Sequence, residues 1–181
     1  MKLASCILEG QPTYGLIEDT GFHPVLPNFA SSFPHLRDVL GAGAVAKLGH
    51  SCATDAVAVS DILILPPIPN PRKIICVGLN YKKPSPVPGA VMQSDDIVLF
   101  GRNIDSLVGS DQQLEMPLGP AGESYDFEGE IAAVIGTHCH NIETNQALEH
   151  VAGYSCMNEG SVRAWQKHSI YAGKNFEKSS S

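Results

Sequence analysis

Apolar residues along this chain fall in short runs separated by turn-forming residues, not in long helical repeats. Between Lys2 and Ile17 two such runs flank Glu9-Gly10-Gln11-Pro12, which predicts a β-hairpin at the N-terminus. From Phe33 to Leu48 the residues Leu36, Val39, Leu40 and Val45 recur near helical spacing and predict one helix, weakened in its middle by Gly41 and Gly43. The stretch from Leu63 to Pro71 carries four prolines, which remove backbone donors and force extended chain, so it reads as a linker near residue 70. Lys73 to Gly78 is an apolar, β-branched run of strand length that opens a second domain. Lys82 to Asp96 holds three prolines and no periodicity, and reads as a surface loop or mobile lid. Asp126 to Ile135 predicts a strand that is polar on one face at its start. Thr144 is placed to cap a helix through Ala147, Leu148 and Val151 that Gly153 ends, and Tyr154 to Met157 predicts a strand leading into Asn158-Glu159. The pattern gives an α+β class, mostly β, with residues 1–70 as a small β-rich N-terminal domain and linker and residues 71–181 as a second domain. No internal repeat is visible, and only the tail Lys178-Ser179-Ser180-Ser181 resembles low complexity.

Composition narrows the function classes. The chain has 181 residues with 43% hydrophobic and 17% charged content and a net charge of -7, enough for a core and without the basic footprint of a nucleic-acid or anionic-membrane binder. Small molecules are the expected partners. There is no apolar run of membrane-spanning length, and the residues after Met1 reach Glu9 and Gly10 too soon for a signal-peptide core, so a cytoplasmic location follows by default. Five scattered cysteines without a CxxC pair indicate neither a disulfide framework nor a thiolate zinc site and read as reduced, mostly buried fillers.

The candidate chemistry centres on Asp126-Phe127-Glu128-Gly129-Glu130, because side chains at i, i+2 and i+4 of a strand share one face. Three carboxylates so placed repel unless something positive lies between them, and oxygen-only ligands select hard ions such as Mg2+, Mn2+ or Ca2+. Spacing alone leaves open the simpler reading of an edge strand whose acids face water. His138-Cys139-His140 lacks a second ligand pair for zinc and reads as a turn after the strand. Lys82-Lys83 reads as solvated surface, Trp165 and Tyr171 as packing aromatics, and His168 as a surface helix position.

Several motifs taken together carry a resemblance. Lys73-Ile74-Ile75-Cys76-Val77-Gly78-Leu79-Asn80-Tyr81, Ser106-Leu107-Val108-Gly109, Asp126 to Glu130 with Val134-Ile135-Gly136, Val151-Ala152-Gly153-Tyr154, Asn158 to Arg163, and Gly173-Lys174-Asn175-Phe176 follow one another in this order. Over residues 70–178 this succession resembles the fumarylacetoacetate hydrolase family. The resemblance implies a β-roll, here incomplete at its C-terminal side, with Glu128, Glu130 and Glu159 holding Mg2+ or Mn2+. It places Lys174 beside the substrate oxygens as a catalytic oxyanion stabiliser. It makes Arg163 and Gln166 substrate-binding or structural contacts, with an ordinary salt bridge as the alternative for Arg163. The implied reaction class is metal-assisted cleavage, decarboxylation or keto-enol tautomerisation of a small β-diketo or oxo-acid. A homodimer is the implied assembly.

Two departures from the family pattern follow. Where hydrolytic and decarboxylating relatives usually carry a His and, three residues on, a Glu to activate water after Asn-Tyr, this sequence has Pro84 and Val87, neither of which takes a proton, so hydrolysis is disfavoured relative to enolisation. Relatives also continue well past the position of Ser181, which makes a truncated, catalytically impaired protein that keeps a metal-binding or partner-binding role the alternative expectation.

Overall fold

The computed structural model describes residues 1–80 and 97–181. In chain order the elements are β1 (Lys2–Leu8), β2 (Gln11–Glu18), β3 (Gly21–Pro24), α1 (Pro27–Ser32), α2 (Leu36–Gly41), α3 (Val45–Leu48), β4 (Ile62–Ile64), β5 (Ile75–Gly78), β6 (Val98–Gly101), β7 (Tyr125–Asp126), β8 (Gly129–Ile135), β9 (Val151–Asn158), β10 (Ser161–Val162), α4 (Arg163–Gln166) and α5 (Ile170–Lys174). Most of the regular structure is sheet, and the helices are one or two turns long. Chain contacts gather these into two compact units. The first holds Met1–Asn70, Gly109–Asp111 and Ile131–Cys156, and the second Pro71–Val108, Gln112–Glu130 and Met157–Ser181.

The first unit is built on an antiparallel sheet in the order β3-β2-β1-β4. The expected hairpin is present, with a tighter turn than the four residues the sequence suggested: β1 and β2 are joined by Glu9 and Gly10 alone, paired Leu8 to Gln11. Both turn residues have positive φ, 49° at Glu9 and 77° at Gly10, which matches the twist of the flanking strands. A Cβ at Gly10 would meet no atom within 4 Å, so Gly10→Ala is a purely conformational change. It is expected to cost about 1–2 kcal/mol of unfolding free energy, read from the urea midpoint. Pro12 falls in β2 opposite Ile7, ahead of the part of β2 that pairs with β3, where its missing N–H breaks no ladder.

Ala4, Ser5 and Cys6 are buried in succession because the sheet is covered on both faces. One face packs Tyr14 against Leu36, Val39, Leu40, Ala44 and Leu48, and the other packs Ala4 and Cys6 against Phe22. The single helix expected over residues 33–48 is two: α2 ends at Gly41, Gly43 takes φ 62°, and α3 restarts at Val45. The apolar spacing still delivers Val39 and Leu48 to one core, since a kinked pair buries the same stripe. The linker prolines follow β4, whose Ile62, Leu63 and Ile64 pair with Leu8, Ile7 and Cys6 of β1.

Also in the first unit, Thr144 to His150 forms a 3-10 helix, not the α-helix through Val151 that Thr144 was expected to cap. Glu143 takes the cap position and its N–H donates to Gln146 Oε1 at 3.2 Å. Leu148 is 74% exposed, so no core holds this segment as a longer helix, and Val151 and Gly153 join β9. His138, Cys139 and His140 lie exposed after β8, as a turn should. The cysteines are free, but only Cys6 is buried and Cys139 and Cys156 are exposed, which corrects the reading of them as mostly buried fillers.

The second unit pairs β5 with β6 and β7 with β10. Cys76 lies opposite Phe100 in the first pair, and these two half-buried side chains share one face while Ile75, Val77 and Leu99 are exposed on the other. The strand expected over Asp126–Ile135 is interrupted: β7 stops at Asp126 and β8 begins at Gly129. The tail is no loose appendage, because Ser179 and Ser180 are fully buried and Ser180 bridges Leu107 in parallel. The expected lid, with Lys82, Lys83, Pro84 and Val87, lies outside the described residues.

Candidate metal centre

The interruption between β7 and β8 places Glu128. Its N–H donates to Asn158 Oδ1 at 3.3 Å and its carbonyl accepts from the Glu159 N–H at 2.8 Å. The two acids are thereby set side by side although 30 residues separate them. Glu130 follows within β8, and Glu159 follows β9 directly. One carboxylate oxygen from each of Glu128, Glu130 and Glu159 lies within 4.8 Å of the others, the one group of metal-ligating residues found among the described residues. Oxygens on opposite sides of a cation are separated by about 4.1 Å around Mg2+ and about 4.8 Å around Ca2+, so this donor set fits a hard divalent ion with small side-chain adjustments.

The same carboxylates are gripped by cations of the protein. Lys174, at the end of α5 and 4% exposed, donates from Nζ to Glu128 Oε1 and to Glu159 Oε2, both at 2.8 Å. Arg102 bonds Glu159 Oε1 at 3.2–3.3 Å. Arg163 bonds Glu128 Oε1 at 2.6 Å and Asp126 Oδ2 at 2.9 Å, and Ser161 Oγ donates to Glu128 Oε1 at 2.6 Å. The pairing of β10 with β7 sets this up, because Ser161 stands opposite Asp126. Phe100 closes one side, with its ring 5.5 Å from the Lys174 ammonium. Gly160 lies beneath. A Cβ there would fall 1.9 Å from the Ser179 carbonyl oxygen and 2.2 Å from the Tyr125 hydroxyl, so only glycine allows the chain this approach.

Burial by itself would raise the Glu128 pKa, but the hydrogen bond and charge of Lys174, with Ser161 and Arg163, outweigh it and hold the carboxyl below its usual range. A carboxyl depressed in the folded state stabilises the fold above its unfolded pKa, near 4.5, and that contribution disappears as pH falls through the lower folded value. Metal-free protein is therefore expected to lose stability progressively below about pH 4.5, with a shallower loss in Glu128→Gln, measured by urea unfolding across pH. Burial, followed by the neighbouring Glu159 carboxylate, pushes the Cys76 thiol up to about 12. It stays a neutral thiol beside the acids.

The residues expected from sequence meet here as follows. Glu128, Glu130 and Glu159 converge, and Lys174 lies against two of them. Arg163 makes the salt bridge weighed as its alternative role and also donates to Gln166 Oε1 at 3.1 Å. Trp165 packs edge-on against Phe176 at 5.8 Å between centroids, whereas Tyr171 is 51% exposed and donates to Asn103. His168 is exposed on the turn between α4 and α5, not on a helix. Sequence reasoning missed Arg102, Ser161 and Cys76 as site residues. The available signal for Arg102 was a lone cation closing the apolar run Val98-Leu99-Phe100-Gly101.

Residues 73–181 match the family described as "Fumarylacetoacetate (FAA) hydrolase C-terminal". The chain is 32% identical over 168 residues to "Oxaloacetate tautomerase fahd2, mitochondrial" of Xenopus laevis, a match covering 88% of this chain and 48% of that protein. It is 29% identical over 157 residues to "Oxaloacetate tautomerase FAHD2A, mitochondrial" of Homo sapiens, covering 84% of this chain and 47% of that one. The chain thus spans about half the length of these curated relatives. Their names place them in mitochondria, which gives no support to the cytoplasmic expectation, and no helix among the described residues is long and apolar enough to cross a membrane. Among solved structures, the fumarylacetoacetate hydrolase of Exiguobacterium antarcticum superposes with a TM-score of 0.75 at 27% identity, covering 99% of this chain and 64% of that one. Motif order, acid cluster, sheet pattern and these matches lead to one statement: this chain belongs to the fumarylacetoacetate hydrolase family.

Proposed function

We propose that the chain carries the metal-binding part of a divalent-metal-dependent enzyme acting on a small β-diketo or oxo-acid, with keto-enol tautomerisation of an oxaloacetate-like substrate as its reaction. The observation that carries this reading is the convergence of Glu128, Glu130 and Glu159 with a buried lysine bridging two of them. Relatives named as oxaloacetate tautomerases support the choice of reaction. The three acids would hold Mg2+ or Mn2+, with Ca2+ also compatible, and such an ion supplies Lewis-acid stabilisation of dicarbonyl oxygens.

Within the protein, Lys174 Nζ is placed to donate a hydrogen bond to an enolate oxygen as charge develops there. Arg163, anchored by Asp126, and Gln166 would contact the substrate's carboxylate from the rim. Tautomerisation moves one proton from carbon to oxygen and consumes no water, so it does not require the water-activating pair that Pro84 and Val87 replace. Action as a homodimer is part of this proposal, supported by the exposed Ile75, Val77 and Leu99 on one strand pair.

The test follows loss of the oxaloacetate enol absorbance with and without Mg2+ or Mn2+, alongside light scattering for the assembly state. Metal-dependent tautomerisation that falls at least about a hundredfold in Lys174→Met is expected, a size typical for loss of one oxyanion donor. The second reading, a protein that keeps the metal or a partner but not turnover, is favoured by Pro84 and Val87. Metal binding without any metal-dependent rate would select it.

A further inference from the structure

We infer that Lys174 is a resident counter-ion of the acid cluster that competes with the divalent cation, so that cation binding and release of the Lys174 ammonium are coupled. The inference rests on the metal reading above and concerns what the site must give up to bind.

Both oxygens of Glu159 are occupied by cations of the protein: Oε1 by Arg102 and Oε2 by Lys174. On Glu128, Oε1 accepts from Lys174, Arg163 and Ser161 at once. A divalent ion that takes Glu128 and Glu159 together must displace or crowd one of these groups. Arg102 is poorly placed to move. Its side chain is 0% exposed and is fixed by Ser179 Oγ, Ser180 Oγ and the Lys174 and Gly160 carbonyls. Arg163 is tied to Asp126 as well as to Glu128.

Lys174 differs, because its ammonium sits between the two acids on a flexible four-carbon stem while its backbone is what Arg102 holds. An ammonium 2.8 Å from an oxygen of both Glu128 and Glu159 occupies the space in which an ion shared by these two acids would lie. Two cations cannot share it without strong repulsion, since unit charges about 4 Å apart at an effective dielectric constant of about 20 already interact by several RT. The ammonium therefore keeps the empty site electrostatically satisfied and, once displaced, becomes available to a substrate oxygen. Metal loading and arming of the lysine become one event.

The test is calorimetric titration of Mg2+ into the wild-type chain, Lys174→Met and Glu159→Gln at one pH and ionic strength. The expected result is Mg2+ affinity at least about tenfold higher in Lys174→Met than in wild type, and none in Glu159→Gln. Equal or weaker binding by folded Lys174→Met, with wild type binding and Glu159→Gln not, overturns the counter-ion inference and leaves the metal reading intact. No binding in wild type or Lys174→Met overturns both. Should Lys174→Met fail to fold, reductive methylation of wild-type Lys174, followed by peptide mass spectrometry, decides the matter. Methylation accelerated at least about threefold by saturating Mg2+ supports release of the ammonium, and an unchanged or slower rate overturns it.

Discussion

Replacing Arg102 by Met is expected to lower the stability of the metal-free protein by about 3–5 kcal/mol, the range for removing one partner of a buried ion pair. The guanidinium is enclosed by Glu159, the hydroxyls of Ser106, Ser179 and Ser180, and the carbonyls of Lys174 and Gly160. Nη1 alone faces four acceptors with two hydrogens, and the short contacts to Ser180 Oγ at 2.6 Å and the Lys174 carbonyl at 2.7 Å take them. Met fills the volume but leaves the Glu159 carboxylate without its fully buried cation. A lysine is no remedy, because one ammonium cannot reproduce the planar fork that spans Glu159 and the serine tail. Urea unfolding should show a reduced midpoint with an unchanged slope. Adding Glu159→Gln to Arg102→Met should recover part of the loss, since the stranded charge is gone. A loss under about 1 kcal/mol in Arg102→Met would show that the network contributes little.

The second large effect is expected at Glu159. In Glu159→Ala, addition of Mg2+ at a hundredfold excess over the wild-type Kd should no longer stabilise the protein, whereas wild type gains about 2.7 kcal/mol under that condition. Thermal melting with and without Mg2+ measures the difference directly. The same substitution strands Arg102 in the interior, so the metal-free variant should also unfold at lower temperature than wild type. Glu128→Ala separates the two contributions: it too should lose the Mg2+ response, but it leaves the Arg102–Glu159 pair in place and should cost less stability without metal. A full Mg2+ shift in either variant would remove that acid from the proposed ligand set.

The match between sequence reading and structure depends on how local the cause is. The Glu9-Gly10 turn, the strand at Ile75–Gly78 and the strand leading to Glu159 were legible because turn residues and short apolar runs bias the backbone where they stand. The helix over residues 33–48 was half legible. Its apolar stripe is real, but Gly41 and Gly43 break the ladder between them. At Thr144 the apolar spacing suggested a longer helix, yet nothing buries Leu148, and an apolar stripe without a surface to cover does not hold an α-helix. The strand alternation that would put Asp126, Glu128 and Glu130 on one face is absent, since the strand is interrupted at Phe127 and Glu128. The ligands converge because Glu128 is hydrogen-bonded to Glu159 across the break.

By itself the sequence determined the local alphabet of this protein: short strands, where the hairpin turns, and acids of the right type and order to suit a hard cation. These follow from backbone preference and side-chain chemistry, which act over a few residues. Tertiary structure alone decided which charges meet. It brought Arg102, Arg163 and Lys174 onto Glu128 and Glu159, and turned a tail of serines into the buried cradle of Arg102. Any of the twelve basic residues satisfies a carboxylate equally well by charge. The choice among them is made by the approach of backbones up to 78 residues apart, as between Arg102 and Ser180, and no local pattern records it.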